Sequence, residues 1–583
     1  MRRLVFAASS LLGLVCLVAV WTTGRPQAQA APAADLVLIN GTILTVNATD
    51  ASAQAVAIAG GKIVAVGSND ALKPRIGAAT QVIDLHGRTA TPGLIDTHVH
   101  FSEADALYSI ELSEAASIAD VLARVRDQVA KTKPGEWVRG RGWDEGKLAE
   151  HRYITAADLD TVAPSNPVWL MQTTGHYGVA NGYALKMAEV TNETKDPPVG
   201  TIDRDARGNP SGVMKEAAMG LVSRHVPPFT REQQREGLVR MVEDFNKEGM
   251  TGAKDPGIGQ AKWDLYQELL KEGKLTVRMF ALWSGARRLE DRQQVIARVN
   301  EHPRPDAPGD GLLISGGVKM FMDGSGGART AWMHEDWNKD STGKDAGNRG
   351  YPAMAPDVYR QIVTELHNLG IHVSTHAIGD RAIDWVVDTY DQALAAKPVR
   401  GLRHGIIHAN TPTDHAIGVM ARLQKQYDAG YPESQATFAW WLGDNYAGNL
   451  GPERGRRLNP FRTYVTKGIT WAGGSDYGVT PFAARYGLWA SVARKASNGI
   501  YGATPFGTAE SIDIRTALRS YTIWAAHQMF LDDRIGSIEV GKDADIAVWD
   551  RNMYTIPTDD LKDLKCELTL FRGKVVYRHK PGN

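Results

Sequence analysis

The sequence predicts a parallel α/β domain flanked by the two halves of one small β-domain, and three observations carry that prediction. Between residues 91 and 528, short apolar runs alternate with longer segments whose apolar residues recur at helical spacing, the pattern of repeated βα units. Both chain ends carry strand-like runs punctuated by Asn40-Gly41, Gly60-Gly61 and Arg572-Gly573. Neither end holds enough apolar surface for a core of its own, so the two are expected to fold together as one small β-domain.

The elements follow in chain order. Residues 1–30 open with Arg2 and Arg3, continue through the apolar run 4–20 and end Ala28-Gln29-Ala30, which predicts a cleaved signal peptide and a secreted or periplasmic protein. The run is close to the length of a membrane span, so an uncleaved anchor is the alternative. Residues 31–90 supply the first part of the β-domain, with hairpins expected over 35–46 and 55–66 around their Asn-Gly and Gly-Gly pairs. In the central region, strands are expected at 93–98, 317–322, 372–375, 405–408 and 470–473, and helices at 118–131, 231–248, 356–369 and 381–396. The stretch is long for eight βα units, and an insertion is expected near 144–228. Residues 338–350 are polar and glycine-rich, as in a mobile loop. Residues 529–583, with short strands at 544–549 and 567–577, complete the β-domain.

Composition excludes several function classes. The 583 residues hold 66 basic and 66 acidic side chains and are 43% apolar and 23% charged, as in a folded soluble protein. Zero net charge offers no field for nucleic acid, and no membrane contact is expected beyond the signal segment. Cys16 and Cys566 are the only cysteines, so neither a disulfide framework nor a thiolate metal site is expected.

Chemistry-bearing residues gather at strand ends. Pro92-Gly-Leu-Ile-Asp-Thr-His-Val-His100 places two imidazoles two residues apart, on one face of an extended chain. Imidazole is the commonest metal ligand, although His-x-His alone is a weak signal. Four further motifs follow in order: Gly317-Val-Lys-Met-Phe-Met-Asp-Gly-Ser325, His376-Ala-Ile-Gly-Asp380, Arg403-His-Gly-Ile-Ile-His408 and Gly473-Gly-Ser-Asp476. Together they resemble the amidohydrolase superfamily, and within it the amidohydrolase 3 branch, whose members include N-substituted formamide deformylases. The resemblance extends to Gly536-Ser-Ile-Glu-Val-Gly-Lys-Asp-Ala-Asp545.

The resemblance implies a distorted (β/α)₈ TIM barrel with the terminal β-sandwich. It implies metal ligands at His98, His100, Lys319, His376, His408 and Asp476, with Asp476 also the catalytic base. Four imidazoles and a carboxylate suit zinc or a similar divalent ion. A buried lysine that takes up carbon dioxide becomes a two-oxygen carbamate, so two zinc ions bridged by carboxylated Lys319 are the expected cofactor. A salt bridge from Lys319 to Asp323, with a single metal, is the alternative. Such metals lower the pKa of bound water towards about 7 and polarise a carbonyl.

Trp143, His176 and Arg329 are candidate substrate contacts, with Asn181, Trp440 and Trp441 able to line the pocket or simply pack. His367, His372 and His404 are expected to be structural. Two positions depart from the family pattern: Ile407 stands where a glutamate often precedes the sixth-strand histidine, and Gln435-Ala436 replaces a glutamine-proline pair. The first predicts a missing hydrogen bond beside His408, and both put substrate preference in doubt. The expected function is an exported, metal-dependent hydrolase of a carbon–nitrogen bond in a small, formamide-like, non-peptide amide. The alternatives are the same site acting on an ester, lactone or carbamate, and a non-catalytic binding or regulatory barrel. A homo-oligomer is compatible with the sequence.

Overall fold

The structure, a computed structural model, describes residues 32–304, 310–338, 347–499 and 507–580. The expected signal segment, and most of the glycine-rich loop at 338–350, lie outside the described residues.

Eight parallel strands form the central sheet, in spatial order as in sequence: β1 (Leu94–Asp96), β2 (Met250–Ile258), β3 (Arg278–Ser284), β4 (Leu313–Phe321), β5 (Val373–Ala377), β6 (Gly405–His408), β7 (Tyr431–Ser434) and β8 (Ala472–Gly473). The ring all but closes, because Thr97 donates to the Gly473 carbonyl at 3.1 Å and Val99 bridges Tyr477. Strands buried on both faces read as continuous apolar runs, as in Met279-Phe-Ala-Leu-Trp283, every residue of which is buried. The helices between them present one apolar stripe to the sheet. Helix Arg231–Lys247 buries Leu238, Met241, Val242 and Phe245, at the spacing of one helical face, and starts at Thr230, whose side chain caps it in reciprocal hydrogen bonds with Gln233.

The chain ends build two sheets that pack face to face. One joins Lys62–Gly67, Ala55–Ala59, Leu36–Ile39 and Gln81–Asp84, and the other runs from Lys574–Arg578 through Cys566–Phe571, Ile546–Trp549 and Thr89–Pro92 to Thr42–Leu44 and Ser52–Ala53. Their shared core includes Leu38, Ile43, Val56, Ile58, Ile546, Val548 and Leu570. Hairpins form where both turn residues take positive φ, at Gly60-Gly61 (57° and 77°) and Arg572-Gly573 (49° and 72°). The hairpin expected at Asn40-Gly41 does not form. Only Asn40 has positive φ there, and the two flanking strands part into different sheets. Arg278, wholly buried, ties sandwich to barrel through Asp543 (2.9 Å) and Asp545 (2.6 Å).

Between β1 and β2 stands an inserted six-stranded sheet, ordered Gly200–Arg204, Pro210–Glu216, Tyr177–Ala180, Val168–Gln172, Val138–Trp143 and Ile110–Glu111. It therefore begins earlier than the 144–228 expected from sequence. No described helix is long and apolar enough to cross a membrane.

Candidate metal centre

The first strand stops at Asp96, two residues before the expected end, because its buried carboxylate turns back to accept the amides of His98 and Ser475, both at 3.0 Å. That clasp draws the ends of β1 and β8 together, and the Asp476 amide donates to the His98 carbonyl at 2.6 Å. A Cβ on Gly474 would lie 2.8 Å from the His98 nitrogen, so the close approach requires glycine. His98 and Asp476 thereby face each other. Their Nε2 and Oδ1 are 3.3 Å apart, and His100 Nε2 is equally 3.3 Å from Asp476 Oδ1.

Strands β5 and β6 bring the other imidazoles. His408 Nε2 lies 3.0 Å from His376 Nδ1, and His408 Nδ1 lies 4.0 Å from Asp476 Oδ2. Ligating atoms of His98, His408 and Asp476 all fall within 4.8 Å of one another. Both His408 and Asp476 adopt left-handed φ angles, 72° and 58°, a strained backbone of the kind functional sites retain. His98, His376, His408, Lys319 and Asp476 are buried, while the His100 side chain is half exposed.

Electrostatics follow from that burial. Desolvation, reinforced by the Lys319 ammonium, holds His98 well below the ordinary histidine range; burial lowers His408 to about 3 and also holds His376 well below that range. Burial works the other way on Asp476, but the imidazoles of His98 and His100 beside it hold the carboxyl well below its usual value. Burial brings the Lys319 amine down to about 7, against the pull of Asp476 and Glu433. Neutral imidazoles around an ionised carboxylate form a donor set for a divalent metal. His98 Nδ1 and Asp476 Oδ1, although buried, have no hydrogen-bond partner, so the set fits an ion that would satisfy what the protein leaves unpaired.

The alternative for Lys319 finds no support. Asp323 instead accepts three amides, from Trp332, Ile378 and Gly379, at 2.8 to 3.0 Å. The hydrogen bond expected to be missing beside His408 is supplied by Gln435, whose Oε1 lies 2.7 Å from Nδ1. Gln435 stands just past β7 and is the retained member of the glutamine-proline pair, the departure being Ala436.

Of the expected substrate contacts, His176 reaches the site, with its ring centroid 5.3 Å from that of His376. Trp143 does not. It is fully buried in the core of the insertion, and its Nε1 donates to the Leu170 carbonyl. Arg329 follows β4 in a left-handed conformation (φ 57°). Asn181 is a cap, accepting from the amides of Val168 and Ala184. Trp440 packs against Trp489 and Tyr486. Trp441, with Lys147 over its ring, borders a cavity of about 380 Å³ beside the Asp476 loop, lined also by Arg141, Thr173, Tyr477 and Gly478. A larger cavity, about 600 Å³, opens at the opposite end of the barrel among Gly316, Gly317, His372 and Phe530, away from the histidine cluster.

Comparison with known proteins agrees with this architecture. Residues 81–577 match the amidohydrolase family. The chain is 30% identical to Protein LONG AFTER FAR-RED 3 of Arabidopsis thaliana, covering 93% of this chain and 92% of that one. It is 29% identical to an N-substituted formamide deformylase of Arthrobacter pascens, over 93% and 98%. The structure of an uncharacterized metal-dependent hydrolase from Pyrococcus horikoshii superposes with a TM-score of 0.68 at 24% identity, over 90% of this chain and 99% of that one, and shows the same fold.

Proposed function

The chain belongs to the amidohydrolase family of metal-dependent hydrolases, and from that premise we propose that it cleaves the carbon–nitrogen bond of a small, formamide-like, non-peptide amide. The observation that carries this reading is the convergence of His98, His408 and Asp476 at the barrel mouth with buried ligating atoms left unpaired. The deformylase relative, similar over nearly its whole length, supports the bond class. The basic and apolar start of the chain supports action outside the cytoplasm.

In this reading His98, His100, His376, His408 and Asp476 would hold two zinc ions, together with Lys319, whose buried amine with a lowered pKa could take up carbon dioxide with loss of a proton to give an anionic carbamate. The metal, when bound, polarises the amide carbonyl and acidifies water. Asp476, kept ionised, accepts the proton of the attacking water and delivers it to the nitrogen as the carbon–nitrogen bond breaks. Gln435 holds the His408 ring in place through Nδ1. Neither a serine nor a cysteine nucleophile enters the scheme.

The test is metal content per chain of protein purified without chelator, with turnover on a panel of formamides, other amides and esters before and after chelation. Two metals and amide turnover that is lost on chelation and restored by zinc are expected. Turnover of esters alone would move the bond class to the ester, and a folded, metal-free, inactive chain would end the hydrolytic reading.

A further inference from the structure

We propose that His176, carried into the site by the inserted sheet, is a substrate-contacting residue that holds the scissile group against the histidine cluster, with Glu216 and Thr330 as its positioning residues. The inference deepens the amide-hydrolase reading and rests on it for the identity of the group held.

The placement is built from three elements. Strands Tyr177–Ala180 and Pro210–Glu216 are antiparallel, with Tyr177 opposite Lys215, so His176 and Glu216 are neighbours across the ladder, and the Glu216 amide donates to the His176 carbonyl at 2.9 Å. Both carboxylate oxygens of Glu216 lie 3.0 Å from His176 Nδ1. The third element is the loop after β4, the strand that carries Lys319. Its Thr330 hydroxyl donates to Glu216 Oε1. A Cβ on Gly324 would come within 2.4 Å of that oxygen and 2.2 Å of the Thr330 hydroxyl, so glycine is what lets the barrel loop and the insertion meet here.

The bonds on the His176 ring leave one nitrogen for a contact, unlike those of two structural histidines. The structural histidines of this chain spend both nitrogens on the protein: His372 on the Leu402 carbonyl and Ser374, His367 on His404 and the Lys397 carbonyl. In His176 only Nδ1 is engaged, and Nε2 has no hydrogen-bond partner among the described residues. The ring nevertheless lies against His376 and is four-fifths buried. An imidazole fixed through one nitrogen by a carboxylate presents the other in a set direction. An amide offers a carbonyl oxygen and a nitrogen within one bond of the reacting carbon, and contact with either would fix the group for attack.

Zinc-loaded full-length His176→Ala, His176→Gln and Glu216→Gln proteins test this, with metal per chain, calorimetric affinity for acetohydroxamate and kcat/KM on the amide turned over best as readouts. Metal content is expected to stay at the wild-type level. Acetohydroxamate binding and kcat/KM should both fall on the order of 10-fold or more in His176→Ala, the scale of one lost hydrogen bond in a desolvated site, with His176→Gln recovering part of the loss and Glu216→Gln lying between. Unchanged affinity and kcat/KM in His176→Ala, or loss of metal from it, would overturn the proposal, the second by making His176 a support of the metal centre. A wild-type chain that binds acetohydroxamate in a His176-dependent way but hydrolyses no amide would sink the amide reading and leave this contact standing.

Discussion

Along β5 and the residue just before it, His372, Ser374 and His376 follow the two-residue period of a strand, yet they stand in two different environments. The first two join a closed network in the barrel interior. There the Lys254 amine donates to Ser374 Oγ at 2.9 Å and to Glu433 Oε1 at 2.7 Å, Ser374 also donates to Glu433, and only Glu433 Oε2 is left over. The third joins the mouth, where imidazoles approach one another at 3.0 Å and the carboxylate oxygen between His98 and His100 has no hydrogen bond. Both groups are buried, and both gather charge on inward-facing strand positions. The interior charges are matched within the protein, which is what stability demands of buried ions. Those at the mouth leave buried donor atoms of His98 and Asp476 without a hydrogen bond.

Substitutions can break that contrast. Asp476→Asn keeps the shape of the mouth while removing the proton acceptor. It is expected to lower kcat on the amide about 10³-fold, within the range for losing a general base, with the circular dichroism spectrum unchanged. Wild-type kcat would remove Asp476 from the chemistry. Lys254→Met should act on stability instead, because it strands the Glu433 carboxylate in the interior at a cost of about 3–5 kcal/mol, read from denaturant unfolding. Pairing it with Glu433→Leu should restore most of the loss. A Lys254→Met protein as stable as wild type but inactive would move the interior network to the functional side of the comparison. Gln435→Ala is expected to be milder. It frees His408 Nδ1 and should weaken metal affinity about 10- to 100-fold, measured by competition with a chelator, as for other groups that orient a metal-ligating histidine.

The same contrast explains what sequence could and could not reveal. The barrel was legible because several parallel strands buried on both faces read as apolar runs, and the mouth because His98, His100, His376, His408 and Asp476 stand at or just past strand ends. Glu433 and Lys254 carry no motif. They matter through each other across 179 positions of sequence, and only register brings them together. His176 is visible as a residue, but its partner Glu216 is not, since the pairing depends on the register of two strands in the inserted sheet. Trp143 misled for a related reason: an aromatic beside Asp144 fits a pocket wall as well as it fits the core of the inserted sheet, and the side that won depended on Leu170 and Tyr177. Asn40-Gly41 has the composition of a tight turn, but the neighbouring strands found better partners in two separate sheets.

The smallest expected effect lies at the far end of the barrel, where a third polar cluster tests whether matched charge there serves stability alone. His527 bridges Asp428 and Asp532 at 2.8 and 3.0 Å, and Arg403 joins both acids. Burial would raise the Asp428 carboxyl, but hydrogen bonds from His527 and Tyr431 hold it down at about 2, while the same carboxylates outweigh desolvation and raise His527. A carboxyl depressed on folding contributes stability above its unfolded value, near 3.9, and loses it as pH falls through the folded one. A histidine raised on folding contributes below about 6.5 and loses it as pH rises through its folded value. Wild type should therefore exceed Asp428→Asn in stability most between roughly pH 4 and 6.5, by about 1 kcal/mol or less because the cluster is partly solvated, with the difference shrinking on either side. Thermal unfolding of both proteins from pH 3 to 9 measures it. A difference that stays constant up to pH 9 would show that His527 does not carry the coupling, leaving Arg403 as the partner that holds Asp428 ionised.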